Sequence, residues 1–472
     1  MLVHLLFEFR PTCIVLKHFF VTIPAVVCFY REAIKLPMPG QTLLTPFQKF
    51  IRAERVAGLL LFGATLVALL WANSPYRHSY DALWQMPLQI GLNGTGLSKP
   101  LILWINDGLM AVFFFLIGME LKRELITGEI NTLKKAAFPV VAATGGVVFP
   151  IVLYLLLNQN EATRPGWGIP MATDIAFALA ILTSLGKRIP LSLKVFLTAF
   201  AIIDDLAAVL VIAIFYSGSI AWHLLAAGLL LTGLMGFYFA RWRFAPVMGM
   251  TGALIVWLLF LKSGVHPTIA GVLLAFTIPI RRQIAMGQFI NSLTEVSNQL
   301  KASSSGKQRH LLTTDEVRCV NKLDSLIAEA RSPLQNLEHK LHGPVAYFIL
   351  PLFALANAGV DLQFSGPVDS GFVMQVAVSL VVGKFVGIVL FSYAGLKSGW
   401  VQLPGDLTFR HITGVSALAG VGFTMSIFIA NLAFGEDPAN LMAAKAGILF
   451  GSFLAGLAGL LLLRFYAPER KR

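Results

Sequence analysis

Charge is scarce in this chain. Only 13% of its 472 residues are Asp, Glu, Lys or Arg and 56% are hydrophobic, whereas soluble domains carry about 25% charged residues. That shortage excludes an ordinary soluble domain and leaves a protein that crosses a bilayer many times. Cysteine is nearly absent, and Cys13, Cys28 and Cys319 are spaced for neither a metal site nor a disulfide framework. A Gly-x-x-x-x-Gly-Lys-Ser/Thr loop is missing, so ATP is not the energy source. The period-two alternation of a membrane barrel is missing as well, and the sequence predicts no strands. Acids are outnumbered by Lys and Arg, 24 to 37, for a formal net charge of +13. In a soluble protein that balance suggests nucleic acid. Here the cations flank apolar runs, so topology accounts for them and no nucleic-acid partner is expected.

What the chain does have is long apolar runs, 41 glycines and 23 prolines, both better tolerated in membrane helices than in soluble ones. The runs predict an all-α polytopic membrane protein with twelve spans. They lie near 56–72, 99–121, 137–158, 168–186, 191–216, 221–240, 246–261, 265–280, 343–361, 373–396, 410–434 and 440–465. Cations collect in alternate loops: Lys122 and Arg123, Lys187 and Arg188, Arg241 and Arg243, Arg281 and Arg282, and Arg470 to Arg472. The positive-inside rule then places both termini in the cytoplasm. One missed helix would scramble this alternation.

Four stretches follow. Residues 1–46 form an N-terminal extension, read as an over-extended start with Met38 as initiator, a peripheral arm or an extra span. Without a clean apolar core and cleavage site it is not read as a signal peptide. Residues 47–280 hold spans one to eight, 281–341 a polar cytoplasmic insertion, and 342–472 spans nine to twelve and the tail. In the insertion, Thr313-x-x-Glu316 has the form of a capping box before a helix with Val317, Val320, Leu323 and Ile327 on one face.

Asp204 and Asp205 sit near the midpoint of the fifth span, between Ala201-Ile-Ile and Leu206-Ala-Ala-Val. An acid at that depth costs about 2.5–3.5 kcal/mol on insertion scales and marks an ion or proton site by default. Neighbouring helical residues project about 100° apart, so one faces a cavity squarely while the other approaches from the side. Two adjacent carboxylates resist joint ionisation and also offer hard oxygen ligands, which suits a site where a metal ion and protons compete.

Asp174 follows Gly168 and Pro170, which interrupt the fourth span; it reads as a compensator of half-helix ends or as a simple cap. Gly420-Val-Gly422 makes a similar break in the eleventh span. Paired breaks in corresponding halves point to a transporter binding site, with spans three to five mirroring spans ten to twelve. Lys384, inside the tenth span, needs a carboxylate partner, and Asp204 or Asp205 is the natural one. Glu120 and Glu124 share a helix face beside Arg123, and Glu338, His339 and His342 precede span nine. A mixed Glu/His/Arg cluster can sense pH; a plain solvated charge belt is the alternative. His266 reads as a helix-start residue.

An intramembrane enzyme and a sodium-coupled symporter are rivals. The first lacks the Asp-rich motif of prenyl-transferring enzymes and the Gly-x-Gly-Asp motif of intramembrane aspartyl proteases.

Taken together, several segments resemble the NhaA-type sodium/proton antiporters. They are Leu103-Trp-Ile-Asn-Asp-Gly-Leu-Met-Ala-Val-Phe-Phe114, Gly118-Met-Glu-Leu-Lys-Arg-Glu-Leu125, Ala172-Thr-Asp-Ile-Ala-Phe-Ala178, Ala201-Ile-Ile-Asp-Asp-Leu206, Lys262-Ser-Gly-Val-His266, Leu350-Pro-Leu-Phe-Ala-Leu-Ala-Asn-Ala-Gly359 and Gly422-Phe-Thr-Met-Ser-Ile-Phe-Ile-Ala430. They run in family order from about Phe47 onward. The resemblance implies inverted repeats, with the fourth and eleventh helices interrupted and crossing. It assigns Na+ or Li+ to Asp204, Asp205 and Thr173, and the exchanged protons to the aspartates. It gives Asp174 and Lys384 the balancing of half-helix ends, with Lys384 also paired to Asp204. It makes Glu120, Arg123, Glu124, Glu338, His339 and His342 a pH-responsive cytoplasmic cluster. It further implies no cofactor, a bacterial inner-membrane location, lipid as the surrounding solvent, and a homodimer. Residues 1–46 and the 281–341 stretch depart from the compact family pattern.

Overall fold

The computed structural model describes residues 46–92, 95–128, 131–242, 244–281, 284–303, 313–330, 332–361 and 369–466. The readings of residues 1–45 lie outside them. The chain divides between Ala53 and Glu54, and every contact below belongs to the Glu54–Arg472 unit.

The elements, in chain order, are α1 (Pro46–Ala72), α2 (Arg77–Gln85), β1 (Pro87–Leu92), β2 (Thr95–Pro100), α3 (Leu101–Thr127), α4 (Leu133–Leu157), a 3₁₀ segment (Glu161–Met171) and α5 (Ile175–Ser184). Then come α6 (Leu191–Phe215), α7 (Trp222–Arg241), α8 (Pro246–Ser263), α9 (Thr268–Thr277), α10 (Met286–Ser303), α11 (Thr314–Ala330) and α12 (Pro333–Pro344). The last are α13 (Leu350–Asn357), α14 (Ser370–Lys397), α15 (Phe409–Ala419), α16 (Phe423–Phe434) and α17 (Pro438–Tyr466).

Among the described residues, α3, α4, α6, α7, α8, α14 and α17 are long and apolar enough to cross a membrane. The protein is therefore an α-helical membrane protein. Its outward side chains are apolar too: Leu70, Leu156, Ile214 and Phe465 are all at least 69% exposed, as expected where the solvent is lipid. Three helix pairs are sharply bent. The Val56–Ala72 part of α1 meets α2 at 114°, the 3₁₀ segment meets α5 at 47°, and α15 meets α16 at 43°. The predicted eighth span is shorter here, since α9 has 10 residues, and in the ninth a π turn (Val345–Ile349) joins α12 to the 8 residues of α13 without a break.

One expectation is corrected. β1 and β2 pair antiparallel, with Leu88 opposite Lys99 and Ile90 opposite Leu97. The stretch Pro87-Leu-Gln-Ile-Gly-Leu92 is too short to span a bilayer, yet it does alternate, and a short amphipathic strand needs only one partner to satisfy its backbone.

Local chemistry sets several boundaries. The Thr313–Glu316 capping box forms, with Thr313 N donating to Glu316 Oε2 at 2.7 Å and Glu316 N to Thr313 Oγ1 at 3.4 Å. α10 and α11 are joined by Lys322 and Glu295 at 3.8 Å. Ser332 accepts from Gln335 N and starts α12; Asp369 accepts from Gly371 N and Phe372 N and starts α14.

Small residues let the long helices approach. α4 and α14 pack so closely that a Cβ on Gly145 would meet the Gly387 carbonyl, and one on Gly387 the Gly145 carbonyl. Membrane helices gain little from the hydrophobic effect between them and rely on such close van der Waals contact. This contact lies one turn beyond Lys384.

Candidate functional site

The midpoint of α6 carries Asp204 and Asp205, 0% and 1% exposed. Apolar neighbours such as Phe196, Leu197 and Ala208 are buried on the same helix. Lys384 comes from α14, directly after a π turn (Ser379–Gly383). Its Nζ donates to both Asp204 oxygens, at 2.8 and 2.7 Å, and lies 5.8 Å from the centroid of Phe200. The π turn inserts a local shift in the helix, a feature concentrated at functional sites. Thr173 lies beside the Asp204 carboxyl. Both oxygens of Asp205 are buried, and neither has a hydrogen-bond partner among the described residues. Buried polar atoms are rarely left so. Two carboxylates one residue apart thus differ fully in occupancy.

The two helix breaks meet next to this pair. Asp174 N donates to Val421 O at 2.7 Å, and Thr173 Oγ1 to Ala419 O at 2.9 Å. The Asp174 carboxylate accepts from Phe177 N in the first turn of α5 and from Thr424 N in the first turn of α16, both at 3.1 Å. Thr424 Oγ1 also donates to it. One carboxylate therefore caps two helices and faces two positive dipole ends. Gly422 admits no side chain, because a Cβ there would lie 2.9 Å from the Ala172 carbonyl of the other break.

A second cluster lies where α3 meets α12. Arg123 bonds Glu124 at 2.8 Å and also bonds Glu338. Glu120 acts electrostatically on Arg123, and His342 on Glu338. Burial pushes the Glu338 carboxyl above its ordinary value, against the opposing pull of Arg123 and His342. His339 is exposed and is not brought into this group. Asp107 pairs with Lys99 at 2.8 Å and stands 3.7 Å from His266 Nε2. His266 meets Thr268 Oγ1 at 2.8 Å, just ahead of α9.

Sequence reasoning gave Thr424 no role, although its N–H and hydroxyl both donate to the Asp174 carboxylate. The signal was available: Thr424 is the second residue after the Gly420-Val-Gly422 break, where a half-helix has unpaired N–H groups. Phe200, under the Lys384 ammonium, carried no such signal.

Buried carboxylates, an ion-paired buried lysine and two joined helix breaks in an all-helical membrane protein define an ion-coupled transporter. Residues 48–463 match the family described as Na+/H+ antiporter 1, and the chain belongs to that family. It is 44% identical over 444 residues to the Na(+)/H(+) antiporter NhaA 1 of Saccharophagus degradans, covering 92% of this chain and 96% of the relative. It is 45% identical over 441 residues to the Na(+)/H(+) antiporter NhaA of Oleidesulfovibrio alaskensis, with 92% and 97% covered. The NhaA protein of Bacteroides thetaiotaomicron is 41% identical over 439 residues, with 91% and 100% covered.

Proposed function

We propose that this chain exchanges Na+ or Li+ for protons across a bacterial inner membrane by alternating access, at Asp204 and Asp205. The observation that carries the proposal is the bare carboxylate of Asp205 beside the Asp204–Lys384 pair. Asp205 is the entry ligand, because it has no internal bond to give up. Full coordination needs the Asp204 oxygens, which Lys384 holds. A cation that takes them strips the buried ammonium of its counter-charge, a loss that proteins resist strongly. Positive charge entering the site is therefore matched by protons leaving it. Two proton carriers, Asp205 and Lys384, against one cation make the exchange electrogenic. Thr173, between Asp204 and the break at Ala419, is the neutral oxygen ligand.

The bent pairs formed by the 3₁₀ segment with α5 and by α15 with α16 are read as the interrupted fourth and eleventh of twelve spans, and their shared Asp174 cap as the pivot of the inverted repeats. Both termini lie in the cytoplasm, which puts the Arg123–Glu338 cluster on the cytoplasmic side. There Glu120, Arg123, Glu124, Glu338 and His342 tune activity to pH, with His339 outside the group. The 281–341 insertion feeds directly into α12, and so into that cluster. The family's members are named as antiporters, which favours neither the symporter nor the enzyme reading.

The test is a pH-dye assay in everted vesicles, run with Na+, Li+ and K+ across pH. Na+ and Li+ are expected to release the imposed proton gradient and K+ to leave it. Asp204→Asn and Asp205→Asn should each abolish the response. An unchanged response in either variant would sink the site assignment.

A further inference from the structure

Asp205 and the pivot account for ion binding, but not for how α6 is tied to the outer half of the broken helix that carries Asp174. Tyr216 stands at that junction. It is the first residue past α6, about 16 Å along the helix from Asp205 by helical rise, and its N–H still bonds Ile212 O. Its side chain turns to the 3₁₀ segment. Tyr216 Oη donates to Pro165 O at 2.7 Å and accepts from Gly168 N at 3.1 Å. Trp167, between those two residues, packs at 5.1 Å on Phe215 and 6.0 Å on Tyr216.

The segment needs such partners. Pro165 and Pro170 remove two N–H groups from it, and carbonyls at membrane depth cannot be left to lipid. Tyr154 of α4 takes Thr163 O at 2.6 Å, and Ser426 of α16 takes Ile169 O at 2.8 Å. Tyr216 differs from both in making two bonds, and in sitting on the helix that bears the carboxylate pair. Gly168 leaves it room: a Cβ there would stand 2.7 Å from Tyr216 Oη.

We propose that Tyr216 is a positioning residue that ties the aspartate-bearing helix to the outer half of the broken helix, so that the two move as one body during exchange. The proposal rests on the antiport reading above. A tie of this kind acts on the rate of the conformational step, not on the cation ligands.

The experiment is Na+/H+ exchange in proteoliposomes holding equal amounts of wild type, Tyr216→Phe, Gly168→Ala and the double variant. Tyr216→Phe removes both hydrogen bonds and keeps the ring. It should lower the maximal rate roughly ten- to a hundredfold, the scale of two net hydrogen bonds, while half-saturating Na+ and the pH profile stay where they are. Gly168→Ala should reproduce that pattern by displacing the hydroxyl. In the Phe background the nearest ring atoms to the added methyl are 3.2 and 3.3 Å away, so Gly168→Ala should cost much less there. A wild-type maximal rate in Tyr216→Phe, a shift in half-saturating Na+ that accounts for the loss, or additive effects of the two changes would each overturn the proposal. Wild type without Na+-dependent proton flux would overturn the antiport reading instead.

Discussion

Lys384 holds both oxygens of Asp204, at 2.7 and 2.8 Å, and leaves Asp205 with no hydrogen-bond partner among the described residues. The pairing makes the two aspartates distinguishable by stability. Asp204→Ala strands a buried ammonium and should lower unfolding stability in detergent by about 3–5 kcal/mol. Asp204→Ala with Lys384→Met removes both charges and should recover most of that loss, while exchange stays abolished. Asp205→Ala, which breaks no bond, should be close to wild type in stability. Equal losses for Asp204→Ala and Asp205→Ala would contradict the asymmetry.

The shared cap predicts a graded series at the pivot. Asp174→Ala leaves the first turns of α5 and α16 both uncapped, and at about 1 kcal/mol per cap should cost about 2 kcal/mol. Thr424→Val removes the hydroxyl but keeps the N–H, so its loss should be smaller. Thermal unfolding of the two purified variants decides this, and an equal or larger loss for Thr424→Val would count against a cap shared by two helices.

The Glu338 carboxyl, raised by burial, predicts a pH slope of definite sign. A raised value means that the folded protein binds the proton more tightly than the unfolded chain. Stability from this group is then present in acid and falls as pH rises from the ordinary carboxylate value to the raised one. Glu338→Gln cannot titrate. Wild type should therefore lose stability relative to this variant across that window, and the gap should stay constant at higher pH. Melting temperatures of the pair from pH 4 upward test it. A gap that moves the other way would mean that the attraction of Arg123 outweighs burial.

The α4–α14 contact predicts that Lys384 is placed by glycine. Gly387→Leu would drive a side chain into the Gly145 carbonyl and Phe149, with an overpacking cost of about 1–3 kcal/mol. It should also move Lys384 off Asp204 and abolish exchange. Gly287→Leu, in open space on α10, is the matched control and should transport as wild type does. Full transport by Gly387→Leu would show that the close contact does not position the lysine.

Much of this was legible because it is local. Predominantly apolar runs of about 16 to 26 residues permit few structures, and an Asp-Asp pair inside one is visible at once. Gly420–Gly422 coincides with the bend between α15 and α16, whereas Gly168 and Pro170 lie inside the 3₁₀ segment and the chain bends just after it, at 172–174; glycine and proline weaken an α-helix over neighbouring turns as well as at their own positions. The Thr313–Glu316 box could be read for the same reason: its partners are three residues apart. The β1–β2 pairing is less legible: Asn93-Gly94 is a strong hairpin signal in the sequence, but the alternating run before it is only six residues long and is flanked by far longer apolar ones.

The sequence by itself determined the class of protein and the placing of two adjacent acids inside one long apolar run. Those follow from composition and from chemistry within a few residues. Only the tertiary structure decided that Lys384 holds Asp204 and not Asp205, 180 residues away in the chain. It also decided that Asp174 caps two helices and that His339 lies outside the Arg123–Glu338 cluster. The reason is geometric. Neighbouring residues on a helix differ by about 100° in direction, and which direction meets a lysine from another helix depends on packing that no local pattern encodes.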